Sequence, residues 1–176
     1  AMSFDSAIQA LGGSKYAGSI SSAASKFGIA TPLQRAHWLA QIAHESGRFQ
    51  YVREIWGPTP QQLRYEPPSS LAAQLGNTEA GDGKKFKGRG FIQITGRSNY
   101  RQASKDLFGN ELLLTKPEML ELDPALSAGW YWQTRKINKA ADRDDVVAVT
   151  KLINGGLNGL ADRKTCLAIA KKELGL

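Results

Sequence analysis

The stretch TPLQRAHWLAQIAHESG, residues 31–47, carries every local signal of a helix, so the rest of the chain must pack around it. Thr31 stands at the N-cap, Pro32 at the first helical position, and Gln34 where the reciprocal partner of a capping box belongs. Ala36, Leu39, Ala40 and Ala43 then recur at helical spacing, Trp38 and Ile42 widen the apolar stripe, and Gly47 supplies the C-terminal stop. Glu45 falls in the last turn. At about 100° per residue it shares a face with Trp38 and Ile42, within roughly a sixth of the helix circumference. Partly apolar surroundings are therefore expected around its carboxyl group.

A second carboxylate, Glu54, follows beyond the helix end. Cleavage of a sugar bond by single displacement asks for such a pair. One carboxyl group is kept protonated by apolar neighbours and serves as the acid. The other stays ionised in polar surroundings and activates water, with roughly 6.5–9.5 Å between the two. Glu45 suits the first role and Glu54 the second. The competing reading is that Glu45 pairs with an arginine and only closes a helix end.

With 176 residues, 41% of them hydrophobic, and no long apolar run, the chain fits one globular domain over 1–176, or two lobes sharing one core. Stable membrane insertion is not expected, and the opening AMSFDSAIQ lacks the pattern of a secretory signal. A net charge of +7 and a pI near 9.6 call for an anionic partner or surface. Nucleic acid is disfavoured, because the only tight basic cluster is Lys84, Lys85, Lys87 and Arg89, with no recognition motif beside it. Cys166, the single cysteine, sits in the apolar pattern of a terminal helix and reads as a core residue. His44-Glu45 does not open a zinc motif, since Arg48 occupies the position of the second histidine and His37 lies two turns away. No metal or other cofactor is expected.

Helices are predicted around 4–28, 32–46, 59–65, 97–108, 117–121, 124–135, 144–153 and 159–173. The passage 67–90 breaks the pattern. Within it GDGKKFKGRG reads as a surface loop or hairpin leading into an alternating strand, FIQIT. Two residues apart on that strand, Gln93 and Thr95 would face the same way. Trp130 and Trp132 read as helix core rather than a sugar platform.

Four segments taken together, AHES, GRGFIQITGRSNY at 88–100, LINGG at 152–156 and ADR at 161–163, resemble in order the signature segments of glycoside hydrolase family 19. That family holds plant and bacterial chitinases and a branch of phage endolysins. The resemblance runs from about residue 35 to 165 and implies Glu45 as general acid; His44, read from its place beside the acid, is expected to orient it or satisfy a backbone group. The resemblance implies Glu54 as base, on a short endolysin-like connection, and Thr95 as the hydroxyl that positions the attacking water. Gln93 and Asn99 match sugar contacts, Asn154 a cleft asparagine, and Arg163 an arginine near the acid. Ser98 stands where chitinases carry a tyrosine, and Asn158 where plant enzymes carry an acidic residue.

The expectation is a mainly helical, lysozyme-like, two-lobed fold with a short β-hairpin and a central substrate cleft. It acts without cofactor as a monomeric endolysin on the glycan strand of peptidoglycan. Such an enzyme is made in the bacterial host cytoplasm and reaches the wall in the periplasm after release. A chitinase of the same family, a non-catalytic wall-binding module and a lytic transglycosylase are the alternatives.

Overall fold

The computed structural model describes residues 2–176. Its helices are, in order, α1 Phe4–Ala10, α2 Ala17–Lys26, α3 Pro32–Glu45, α4 Pro60–Leu63, α5 Ser70–Leu75, α6 Asp82–Lys85, α7 Arg97–Phe108, α8 Leu112–Thr115, α9 Met119–Leu122, α10 Pro124–Thr134, α11 Asn138–Asp142, α12 Val146–Asn154 and α13 Leu160–Glu173, with a 3-10 turn at Ser14–Tyr16. The first predicted helical region is thus interrupted, at the Gly12-Gly13 pair. The chain divides into two compact units, Ala1–Tyr51 with Ala128–Leu176 and Val52–Ser127.

In the first unit α3 forms as its sequence dictates. Thr31 Oγ1 accepts from Gln34 N at 3.1 Å, and Gln34 Oε1 accepts from Thr31 N at 3.1 Å. The helix packs against α13 and touches α1, α11 and α12. Every residue from Ala36 to Ala43 is buried, so α3 is enclosed on all sides rather than along one stripe. Enclosure takes two polar side chains out of water, which is costly without partners. His37 Nε2 meets Asp144 Oδ1 at 2.7 Å, and Gln41 Nε2 donates to Thr150 Oγ1 at 3.3 Å. Trp130, Trp132 and Cys166 lie in the core, and burial pushes the Cys166 thiol pKa up.

The second unit centres on Phe86, Phe91, Tyr100, Leu113 and Leu120, with α7 packed on α5 and α8. Here the passage 67–90, expected to break the helical pattern with a surface loop or hairpin at 81–90, is more ordered and more buried than its composition suggests. It contains α5 and α6, and it buries Phe86 completely and Asp82 to 2% exposure. The charged residues are tolerated because they are paired. Arg97 grips Asp82 with Nε on Oδ2 and Nη2 on Oδ1, both at 2.8 Å, while Thr78 N and Glu79 N donate to Oδ2. Arg89, also buried, donates to Glu121 and to the Lys85 carbonyl.

The predicted strand FIQIT is not formed. Among the described residues the only β pairing is two isolated antiparallel bridges, Arg53 with Arg89 and Arg89 with Ile94. Residues 90–93 form a tight turn closed by Arg89 and Ile94, each donating to the other's carbonyl, and Phe91 N turns away to the Pro124 carbonyl. The turn buries Phe91 and Ile92 in succession, which a flat strand, with its alternating faces, would not do for one core. The shared-face argument for Gln93 and Thr95 falls with the strand. Gln93 is exposed and Thr95 half-buried.

Burial works against the charge of Asp82, but the Arg97 and backbone donors outweigh it and hold its carboxyl below the ordinary carboxylate range. A lowered folded-state value means that this stabilisation is complete above the unfolded value, about pH 4, and is lost as pH falls through the folded one. Melting temperature is expected to drop steeply below pH 4. Asp82→Asn should lose about 3 kcal/mol at pH 6 and a distinct part of that acid slope. Identical slopes in the two proteins would remove Asp82 from the account.

Candidate active site

Glu45 is the last residue of α3, and its carboxylate is held by α13. Arg163 Nη2 donates to Glu45 Oε1 at 2.7 Å, its Nη1 to Gln41 Oε1 at 2.6 Å, and its Nε to the Asn158 carbonyl at 3.0 Å. The guanidinium is 1% exposed and the Glu45 side chain 28%. Glu45 therefore sits in an ion pair opening to solvent, not in the apolar surroundings expected from Trp38 and Ile42, both of which turn fully into the core. Gln41, one turn before Glu45, shares its face and its arginine. Nearby, Tyr131 is half-buried, and burial together with the Glu45 charge raises its pKa against the pull of Arg135.

Among the described residues the His44 imidazole bonds neither Glu45 nor a backbone group. Its Nδ1 meets Asp162 Oδ2 at 2.7 Å, and Arg48 Nη2 reaches the other Asp162 oxygen at 3.4 Å. These bonds hold Asp162 below the ordinary carboxylate range, His44 contributing most, against a smaller opposing effect of burial. The imidazole lies on Gly159, where an added Cβ would stand 2.4 Å from Nε2. Gly159 also needs its left-handed φ of 74° to open α13. One turn thus seats His44 and brings Arg163 to Glu45. Asn154, exposed at the end of α12, accepts from Asn158 N at 3.3 Å. Since Arg163 uses the backbone carbonyl of Asn158, the missing acidic side chain at that position does not leave the arginine without a partner there.

Glu54 is built in the second unit. Its N donates to the Gly88 carbonyl at 2.8 Å, and Gly88 N returns a bond to Glu54 Oε1 at 2.6 Å. Gln62 Nε2 donates to Glu54 Oε2 at 3.1 Å. Tyr65 faces the same carboxylate, and burial first, then the Glu54 charge, raises its phenol pKa. Gln93 packs on Gly88, where an added Cβ would meet its Oε1 at 2.5 Å. Asn99 Nδ2 donates to the Thr95 carbonyl at 2.8 Å. Gly88 thus links Glu54 with Gln93, and Asn99 is tied to Thr95. Other carboxylates of this unit are committed elsewhere: Glu66 accepts from Gly81 N and Gly83 N, and Glu79 and Asp82 pair with Arg97.

Sequence reasoning missed Gln41, Asp162 and Gln62. Gln41 had a signal, its spacing of four from Glu45 on a helix. Gln62 had only its place in a second capping box, Thr59 to Gln62, which explains α4 and not the bond to Glu54.

The model of the chitinase class I family matches residues 5–156. A Haemophilus influenzae protein described as containing a glycosyl hydrolase family 19 domain is 36% identical over 170 residues, covering 82% of each chain. An endochitinase of Arabidopsis thaliana is 36% identical over 124 residues, 69% of this chain, which spans 38% of that longer protein. Among solved structures, a bacterial family 19 chitinase superposes with a TM-score of 0.73 at 25% identity, covering 98% of this chain and 93% of the other. A class IV chitinase from Zea mays shares the fold, with a TM-score of 0.67 at 20% identity, 98% of this chain and 90% of that one. The chain belongs to glycoside hydrolase family 19, the chitinase class I family, and so to the glycoside hydrolases.

Proposed function

We propose that this protein is an endolysin-type hydrolase of the β-1,4 bonds between amino sugars of bacterial peptidoglycan. The observation that carries the chemistry is that the two carboxyl groups matching the family's acid and base are each held in a fixed place by directional hydrogen bonds. Glu45 ends a rigid, buried helix with one oxygen on Arg163, and Glu54 is fixed by Gly88 N and the Gln62 amide. In this reading Glu45 gives its proton to the departing sugar oxygen as that bond to the anomeric carbon breaks. Glu54 takes a proton from the water whose oxygen attacks the same carbon from the opposite face, and the configuration inverts. Thr95 offers a hydroxyl to that water. Gln93, Asn99 and Asn154 offer amide groups, which match the acetamido substituents of the glycan.

Substrate choice rests on charge. A chain of net charge +7 is drawn to an anionic wall polymer and gains nothing comparable from neutral chitin. Action on the wall after release from the cytoplasm of an infected cell follows from the same reading. Chitin is the second substrate to try, because the plant relative and the solved neighbours carry the name chitinase.

Digestion of purified peptidoglycan and of chitin oligomers, followed by borohydride reduction and mass spectrometry of the new ends, tests this. A reduced amino-sugar end from peptidoglycan is expected and identifies the bond. Cleavage of chitin alone would favour the chitinase reading. An anhydro end would mean transglycosylation, and glycan retained uncut a binding module. Glu54→Gln is expected to slow hydrolysis about 100-fold with little change in glycan binding, and a wild-type rate would reject Glu54 as the base.

A further inference from the structure

Gln62 is 5% exposed, lies outside the residues that match the family's signature segments, and has its amide saturated. Its Oε1 accepts from Gly57 N at 3.0 Å and Thr59 N at 2.8 Å. Its Nε2 donates to the Ile55 carbonyl at 2.8 Å and to Glu54 Oε2 at 3.1 Å. Backbone N–H groups only donate, so the two on Oε1 fix which end of the amide is which, and the NH2 end must face Glu54. The Gln62 backbone is pinned as well, its N bonded to Thr59 Oγ1 at 3.2 Å in the capping box of α4. Glu54 is thus oriented by Gly88 N on Oε1 and Gln62 on Oε2, with the Tyr65 phenol as a further hydrogen-bond partner of the same carboxylate.

We propose that Gln62 is a positioning residue for Glu54, holding its carboxylate in the rotamer that meets the attacking water, without itself touching the glycan. The inference rests on the reading of Glu54 as the base. Four bonds to one buried amide leave it no rotamer freedom, and that rigidity passes to the carboxylate it holds. Misplacement of a reacting group by about 1 Å costs on the order of 100-fold in rate.

The discriminating variant is Gln62→Glu. It keeps an oxygen for Gly57 N and Thr59 N but turns the other end into an acceptor and a like charge against Glu54. The expected result is a fall of about 100-fold in kcat with KM unchanged. The acid limb of kcat/KM, which reports the base in the free enzyme, should move up by about one pH unit or more. Carbon-13 titration of the Glu54 carboxyl, assigned by its absence in Glu54→Gln, should move with it. A role confined to supporting the loop would lower the melting temperature and leave both titrations in place, and that outcome in folded protein overturns the inference while the base assignment stands. A shifted Glu54 titration with an unmoved acid limb overturns the base assignment instead, and the catalytic meaning of Gln62 with it. Should Gln62→Glu not fold, Gln62→Met removes the donor without adding charge, and an unchanged Glu54 titration there is equally fatal.

Discussion

Glu45→Gln is expected to reduce turnover by as much as about 10⁴-fold, the upper range for loss of a general acid, while the protein stays folded. Glutamine has the shape of the residue it replaces, and its Oε1 can still accept from Arg163 Nη2, now 2.7 Å from the carboxylate. The arginine keeps its bonds to Gln41 and the Asn158 carbonyl. What is lost in stability is the counter-charge of an arginine whose side chain is 1% exposed, eased because the acidic side chain is 28% exposed and the amide oxygen still accepts from it, about 2 kcal/mol. What is lost in chemistry is the proton itself, because an amide cannot donate one to a departing sugar oxygen. Reducing-end release and thermal melting, measured on the same preparation, separate the two. Near-wild-type turnover would end the assignment of Glu45 as the acid, whereas an unfolded variant would mean that the Arg163 contact carries more of the fold than its exposure implies.

How far this site was legible in the sequence follows from the range of the forces that build it. The Thr31–Gln34 capping box and Pro32 act within one helical turn, and α3 forms where they place it. Glu45 at its end needed nothing further. Its surroundings did: the Trp38–Ile42 stripe suggested apolar neighbours, but the carboxyl group is held by Arg163, 118 positions away. Only the family resemblance had paired those two. In the second unit, glycine and charge in residues 81–90 read as exposure, because composition cannot show that Arg97 folds back on Asp82. FIQIT alternated like a strand, yet no neighbouring strand exists for it to pair with among the described residues, and the backbone satisfies itself in a turn instead. The connection of Gln62 to Glu54 depends on the path taken by Gly57 and Thr59 between them, which no periodicity records.

Arg163→Met is expected to be the most destabilising single change at the site, by about 3–5 kcal/mol, the summed cost of leaving two buried acceptors without their donor. Methionine fills much the same volume, so the loss is polar rather than one of packing. Gln41, fully buried, would keep its bond to Thr150 but lose the donor on Oε1, and the Asn158 carbonyl would lose its own. Glu45, being part exposed, can turn to water. The three losses fall on α3, α13 and the turn at 158–159 together, so the helix end carrying Glu45 loosens as the protein weakens. For a chain of 176 residues this corresponds to a fall in melting temperature of roughly 10 °C, with turnover reduced well below the stability limit. Arg163→Lys supplies the control. An ammonium keeps the charge but cannot present the three-way fork that meets Glu45, Gln41 and Asn158 at once. It should recover part of the melting temperature and little of the turnover. If lysine restored activity fully, positive charge near Glu45 would be all that the reaction asks of this position, and the fork would serve the fold alone.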